Sequence, residues 1–136
     1  MSKIFHASAG MGRKLQGRAL VAKDGFSARY DLDRIRGVFS RPQHKLVGEN
    51  YVDRVLVLDA AKGGVATAWM LHEMKARGIV PAALVLNAIN PIMVQGAALA
   101  GFTMISGFDQ DITQAIPNGA LVEVDPTGAR PFIRIV

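Results

Sequence analysis

Three apolar runs organise the middle of the chain. RVLVLD (54–59) is continuously hydrophobic and rich in valine and leucine, the pattern of a strand buried on both faces. PAALVLNA (81–88) and GFTMIS (101–106) predict two more strands. Between the first two, Val65, Trp69, His72 and Ala76 recur at helical spacing and predict a helix from Val65 to about Arg77. Glu73 and Arg77 stand four apart as a favourable ion pair, and Gly78 is a good stop. Asn90-Pro91 opens a second short helix, since proline suits a first helical turn. A β-α-β-α-β order favours parallel strands covered by helices. The flanks differ: 3–8, 18–23, 26–30 and 37–40 are short candidate strands, and GALVEVD (119–125) and PFIRIV (131–136) add two more around an Asp125-Pro126-Thr127-Gly128 turn. The pattern predicts one α/β domain over residues 1–136, a parallel α/β centre flanked by short strands.

Composition sharpens this picture in a few places. The chain has 136 residues, half of them hydrophobic and a fifth charged, which is globular. It contains no cysteine, hence no disulfide and no thiolate for zinc or an iron–sulfur cluster. The opening stretch lacks the apolar core of a signal peptide, so a cytoplasmic location is expected. Gly78 to Phe108 carries no charge, but Pro81, Asn87, Asn90, Pro91, Gln95 and several glycines interrupt it. A spanning helix of about twenty apolar residues does not tolerate such a series. It is expected to be core.

The net charge of +5 is uneven. Residues 1–54 hold eleven Lys/Arg against five Asp/Glu; the rest hold five against six. A basic half fits a solvated face, an anionic ligand or an acidic partner. Its cations are dispersed and no nucleic-acid motif accompanies them, so nucleic acid is not expected.

The junction DAAKGG, where the first inner strand gives way to its helix, is the main candidate site. It approaches the nucleotide-binding form KGGxGK[ST], but Ala66, Thr67 and Ala68 stand where the last glycine, the phosphate-gripping lysine and the magnesium-binding hydroxyl belong. An ATPase is excluded. Two readings stay open: backbone N–H groups beside Lys62 hold an anion, or Gly63 and Gly64 let strand and helix pack closely. His44, in the polar segment SRPQHKLVGE, is expected to face ligand or solvent, and His72 to be packed beside Trp69. Asp31 and Asp33 alternate at strand spacing; acid–base work, cation binding and surface pairing with Arg29, Arg34 and Arg36 are the alternatives. Three histidines without cysteine make a metal site improbable.

Between about Gly17 and Ala100 the chain resembles the small, swivelling domain of the aconitase X family. The family form Ser-Phe-Trp-Gly-Gly-x-Asp-x-x-Thr-Gly lines up with Ser27 to Gly37, where Ser27, Asp33 and Gly37 match; His44 and Gly48-Glu49 follow. An apolar strand running into Gly-Arg-Gly-Ser corresponds to VLVLDAAKGG, with Lys62 for the arginine and Gly63 matching. A Pro-Ala-Ala strand and a Gly-Ala pair correspond to Pro81–Ala83 and Gly96-Ala97.

The resemblance implies a swivelling β/β/α fold and the small subunit of a hydro-lyase that closes over a large subunit. Known activities of the family include dehydration of mevalonate 5-phosphate and of cis-3-hydroxy-L-proline. It implies no cofactor on this chain and an iron–sulfur cluster on the large one. The substrate's carboxylate or phosphate is then expected at Lys62, Gly63 and Gly64, helped by Arg29 or His44, with Ser27 and Asp33 among the substrate-binding positions. Gly64 replaces the family's loop serine and has no hydroxyl. Thr67 is the expected substitute; the alternatives are that the partner supplies the base, or that the chain is a non-catalytic module for small acids, a homo-oligomer on its own.

Overall fold

Two short strands at the start of the chain dictate the architecture. In the computed structural model, which describes residues 3–28, 30–61, 65–88 and 101–136, β1 (Lys3–His6) and β2 (Ala9–Met11) occupy opposite edges of one eight-stranded sheet. The other members are β3 (Leu15–Val21), β7 (Val55–Leu58), β9 (Ala83–Leu86), β10 (Thr103–Ser106), β11 (Leu121–Asp125) and β12 (Phe132–Ile135), in the order β1-β12-β11-β3-β7-β9-β10-β2. A flat sheet of that size would be roughly 33 Å wide, whereas the chain from His6 to Ala9 reaches only about 11 Å. The sheet therefore rolls until its edges meet. Ala7 donates to Pro131 O at 2.8 Å on one side of the seam, and Ser8 donates to Gly107 O at 2.8 Å on the other.

Pairing is parallel for β3–β7, β7–β9 and β9–β10 and antiparallel elsewhere. This is the expected parallel centre with antiparallel flanks. Strand alternation sorts the side chains by size. Ala19, Val55, Val57, Ala83, Val85 and Ile105 point inward with Val122, Val124 and Ile133, filling a narrow barrel. The short helix α2 (Ile112–Ala115) closes one end through Ile112 and Ile116. Leu20, Leu56, Leu58, Leu84, Leu86 and Met104 point outward, under α1 (Val65–Arg77) and the irregular segment bearing Phe26, Leu32, Phe39, Leu46 and Tyr51. Both faces of β7 and β9 are buried, which is why these strands read as unbroken apolar runs.

Two further ladders lie outside the barrel. β4 (Gly25–Phe26) pairs in parallel with β8 (Ala60–Ala61), and β5 (Leu32–Asp33) pairs antiparallel with β6 (Val38–Phe39). The strand expected over 26–30 stops at Phe26, because Asp31 draws the following residues into a turn. Strand 18–23 instead spans Leu15–Val21.

The orientation of α1 departs from expectation. Its buried flank is Thr67, Leu71 and Met74, while Trp69 is 65% exposed and His72 is also exposed, meeting Trp69 edge-on at 6.0 Å. The smaller, flexible Leu and Met side chains fit between the outward-facing leucines where an indole would not. The helix expected after Asn90 lies outside the described residues. Among the described residues, no helix is long and apolar enough to cross a membrane.

Candidate functional site

The parallel strands β3, β7, β9 and β10 all end on one side of the barrel, the side on which open α/β sheets bind ligands. Asp24, Asp59, Asn87 and Asp111 gather there. Asp59 donates its N–H to Asp24 O at 2.9 Å, fixing the exit of β7 against the exit of β3. The Asn87 amide donates to Asp59 Oδ1 at 3.0 Å and to Asp111 Oδ1 at 2.8 Å, and its carbonyl accepts from Ile112 N at 2.7 Å. Asp111 caps α2, accepting from Thr113 N and Thr113 Oγ1, and pairs with Lys23 at 3.0 Å. The Thr113 hydroxyl foremost, then Asn87 and Lys23, hold the Asp111 carboxyl well below the usual carboxylate range. The Asp-x-Thr cap is the local sequence signal for this short helix, and it lies outside the three apolar runs.

The β4–β8 ladder makes the central connection. Its register, Gly25 to Ala60 and Phe26 to Ala61, ends one residue before Ser27 on one strand and one before Lys62 on the other. Phe26 and Ala61, far apart in sequence, are thus held side by side. Lys62, Gly63, Gly64 and Arg29 themselves lie outside the described residues.

From Ser27 to Asp31 the chain forms a closed loop. Ser27 N–H donates to Asp31 Oδ2 at 2.9 Å, Asp31 N–H returns to Ser27 O at 2.9 Å, and Tyr30 N–H donates to Ser27 Oγ at 3.3 Å. Asp31 is buried and takes an ion pair from Arg41 Nε, whose second nitrogen approaches Asp24 at 3.7 Å. Asp31 and Asp33 therefore do not work as a facing pair. Asp33 caps its own turn, accepting from Arg36 N and Ile35 N at 3.1 Å each, and these two bonds keep its carboxyl below the ordinary value.

His44 is 2% exposed and stacks on Phe39 at 4.6 Å, so it faces neither solvent nor open cleft. Its Nδ1 accepts from Leu46 N at 3.0 Å, which leaves Nε2 to donate to Gly25 O at 2.8 Å. The neutral Nε2–H tautomer satisfies both bonds. The ring thereby ties the 40–46 loop to β4, one residue from Phe26. Asp24 supports the same loop: burial pushes its carboxyl up, but the N–H groups of Lys45 and Gly25 outweigh that and hold it below its usual value. Thr67 is 4% exposed, on the inward flank of α1. No cluster of three His, Asp or Glu side chains among the described residues is arranged to hold a metal ion.

This architecture belongs to a known class. The family described as the aconitase X swivel domain matches residues 4–133, so the chain belongs to that family, over a longer stretch than the motifs alone reveal. Among curated relatives, the phosphomevalonate dehydratase small subunit of Thermococcus sibiricus is 32% identical over 84% of this chain and 85% of its own length. That of Methanocella arvoryzae is 30% identical over 85% of this chain and 88% of its own. A chain in the crystal structure of Thermococcus kodakaraensis aconitase X, holo-form, superposes with a TM-score of 0.84 over 96% of this chain and 98% of that one, at 20% identity. At that identity the likeness carries the fold alone.

Proposed function

We propose that the chain is the small subunit of an aconitase X-type hydro-lyase that dehydrates mevalonate 5-phosphate, and that it acts as a lid over a large subunit. The observation that carries this reading is the match, over more than four-fifths of both partners, to small subunits named for that dehydratase. The Lys62–Gly63–Gly64 junction, at the start of the thirteen-residue α1, binds the substrate's phosphate or carboxylate through backbone N–H groups, the helix dipole and the lysine charge. Arg29 and Ser27 complete the anion-facing side in this reading. His44 serves this site from beneath by tying the 40–46 loop to β4, and Asp33 is a further substrate-binding position in this reading. Thr67 is the hydroxyl nearest in sequence to the position where the family carries serine.

With no cysteine, the chain offers no thiolate to an iron–sulfur cluster, and the cluster belongs to the large subunit. Bound there, it supplies a Lewis acid for the departing hydroxyl. This chain's share is to fix the anionic end of the substrate and exclude water on closure.

Gly64 favours a second reading, a binding module for small acids that has no dehydratase activity. Reconstitution with the large subunit separates the two. Dehydration of mevalonate 5-phosphate, with Lys62→Ala raising KM, supports the enzyme; cis-3-hydroxy-L-proline is the comparison substrate. Binding of acids by the isolated chain, with no turnover in the complex, supports the module.

A further inference from the structure

The cavity at the exits of the parallel strands holds one acceptor that the fold leaves open. It measures about 290 Å³ and is lined by Lys23, Asp59, Asn87, Phe108, Gln110 and Asp111. Both Asp111 oxygens are engaged, one by Asn87 and Thr113 and the other by Lys23. Asn87 gives its amide to Asp59 and Asp111, and its carbonyl accepts from Ile112 N. Asp59 is different. Its Oδ1 accepts from Asn87 at 3.0 Å, whereas its Oδ2 accepts from none of the described residues. The carboxylate is also held still. Asp59 donates its N–H to Asp24 O at 2.9 Å, and its carbonyl accepts from Ala88 N at 3.0 Å. The chain just past β3 and just past β9 thus fixes its backbone, and Asn87 fixes its side chain. An acceptor already in place needs no ordering when a ligand arrives.

The neighbouring groups define the donor it suits. Lys23 reaches the same cavity, and Asp111, at 3.0 Å, takes only one of its three N–H groups. The Asp111 hydrogen bond foremost, and the Asp59 charge after it, push the Lys23 ammonium up, so Lys23 and Asp59 lie within each other's field. The Gln110 amide is unengaged among the described residues, and the half-buried Phe108 ring supplies an apolar wall. Lys23 repels a cationic ligand, and Asp59 repels a bare anion. A small molecule with both a carboxylate and a hydroxyl meets each group with its complement. The carboxylate accepts from Lys23 and Gln110, and the hydroxyl donates to Asp59 Oδ2. A site that hydrogen-bonds a hydroxyl rejects the analogue lacking it, because its acceptor is then left unpaired.

We infer that Asp59 selects the ligand by its hydroxyl, in a cavity that takes a small hydroxy acid. The inference rests on the dehydratase reading given above for the natural substrate, though not for the binding itself. Its test is an NMR titration of the full chain with 3-hydroxybutyrate and, separately, with butyrate, the same acid lacking the hydroxyl. The hydroxy acid is expected to shift the Asp59, Asn87 and Gln110 amides saturably, and butyrate to bind about tenfold more weakly. Asp59→Asn keeps the oxygen to which Asn87 donates and puts a donor in place of the open one. The rest of its spectrum is expected to match wild type, while the preference for the hydroxy acid disappears. Lys23→Gln weakens both acids alike, since it acts on the carboxylate. No saturable shifts, equal affinity of wild type for the two acids, or a preference that survives Asp59→Asn overturns the inference. In the complex with the large subunit, Asp59→Asn is expected to raise the KM for mevalonate 5-phosphate by about tenfold. Turnover with KM unmoved in the variant overturns the role of Asp59 and spares the dehydratase reading. Absence of turnover in the wild-type complex overturns that reading, and the titration of the chain then decides the inference by itself.

Discussion

Asp31 and Arg41 join two loops that the sequence keeps ten residues apart: Arg41 Nε donates to Asp31 Oδ1, and the Asp31 side chain is only 6% exposed. The same carboxylate receives Ser27 N–H, so one buried charge closes the Ser27–Asp31 loop and anchors the 40–46 loop at once. Asp31→Ala strands the guanidinium and releases both loops. Because Arg41 is one-third exposed, its charge is partly solvated, and the loss is expected to be about 2 kcal/mol, below that for a fully buried pair. Urea denaturation measures it. Arg41→Ala, which leaves the more deeply buried partner unpaired, is expected to cost at least as much.

Acid stability is expected to depend on Asp111. Its folded-state carboxyl is held well below its ordinary value by Thr113, Asn87 and Lys23, whereas the unfolded chain titrates near about pH 3.9. Between these limits the unfolded chain binds more protons, so the contribution is present above the unfolded value and lost as pH falls through the folded one. Melting curves from pH 6 to pH 2 are expected to fall more steeply for wild type than for Asp111→Asn. Equal slopes would remove Asp111 from the account. Lys23 has the opposite sign: its hydrogen bond to Asp111 raises it, so its contribution persists below its ordinary value and is lost only in strong alkali.

Gly37 is the one family-matching glycine in the described part of the first motif, and its geometry gives the reason. It has φ of +75°, and a Cβ there would lie 2.7 Å from Val52 Cγ2. Gly48 also has positive φ, +86°, but among the described residues nothing stands within 4 Å of where its Cβ would be. Gly48→Ala is expected to cost about 1 kcal/mol from backbone strain alone, and Gly37→Ala about 1 kcal/mol more from the clash. The difference between the two, read from denaturant midpoints, isolates the steric part.

Tyr51 is fully buried, and its hydroxyl has no hydrogen-bond partner among the described residues; burial pushes the phenol up. Removing an unsatisfied polar atom while keeping the ring is expected to be favourable. Tyr51→Phe should raise stability by about 1 kcal/mol, or roughly 3 °C in Tm. A drop in Tm would mean that the hydroxyl is satisfied in solution.

The parts legible in the sequence are those whose signal is local and repeated. β7 and β9 announce themselves because burial on both faces demands apolar side chains at every position. The span of α1 is legible from its periodicity and Gly78, but which flank faces inward is not. Val65–Trp69–His72 and Thr67–Leu71–Met74 are both helical stripes, and only the leucine-lined surface beneath selects between them. β8 is two residues long and exists only through its distant partner β4, so no periodicity can reveal it. His44 misleads for a related reason. Its polar neighbours suggest a wet loop, whereas its partners are the backbone of Gly25 and Leu46, which leave no trace in side-chain composition.

The seam at Ala7 and Ser8 also has a temporal meaning. β1 lies against β12, residue for residue from Lys3–Ile135 to His6–Phe132, so this pairing joins segments far apart in the sequence. Closing so long a loop is slow, and until it closes the sheet keeps two raw borders. Refolding from denaturant is therefore expected to be slow, and to invite self-association for as long as the barrel stays open.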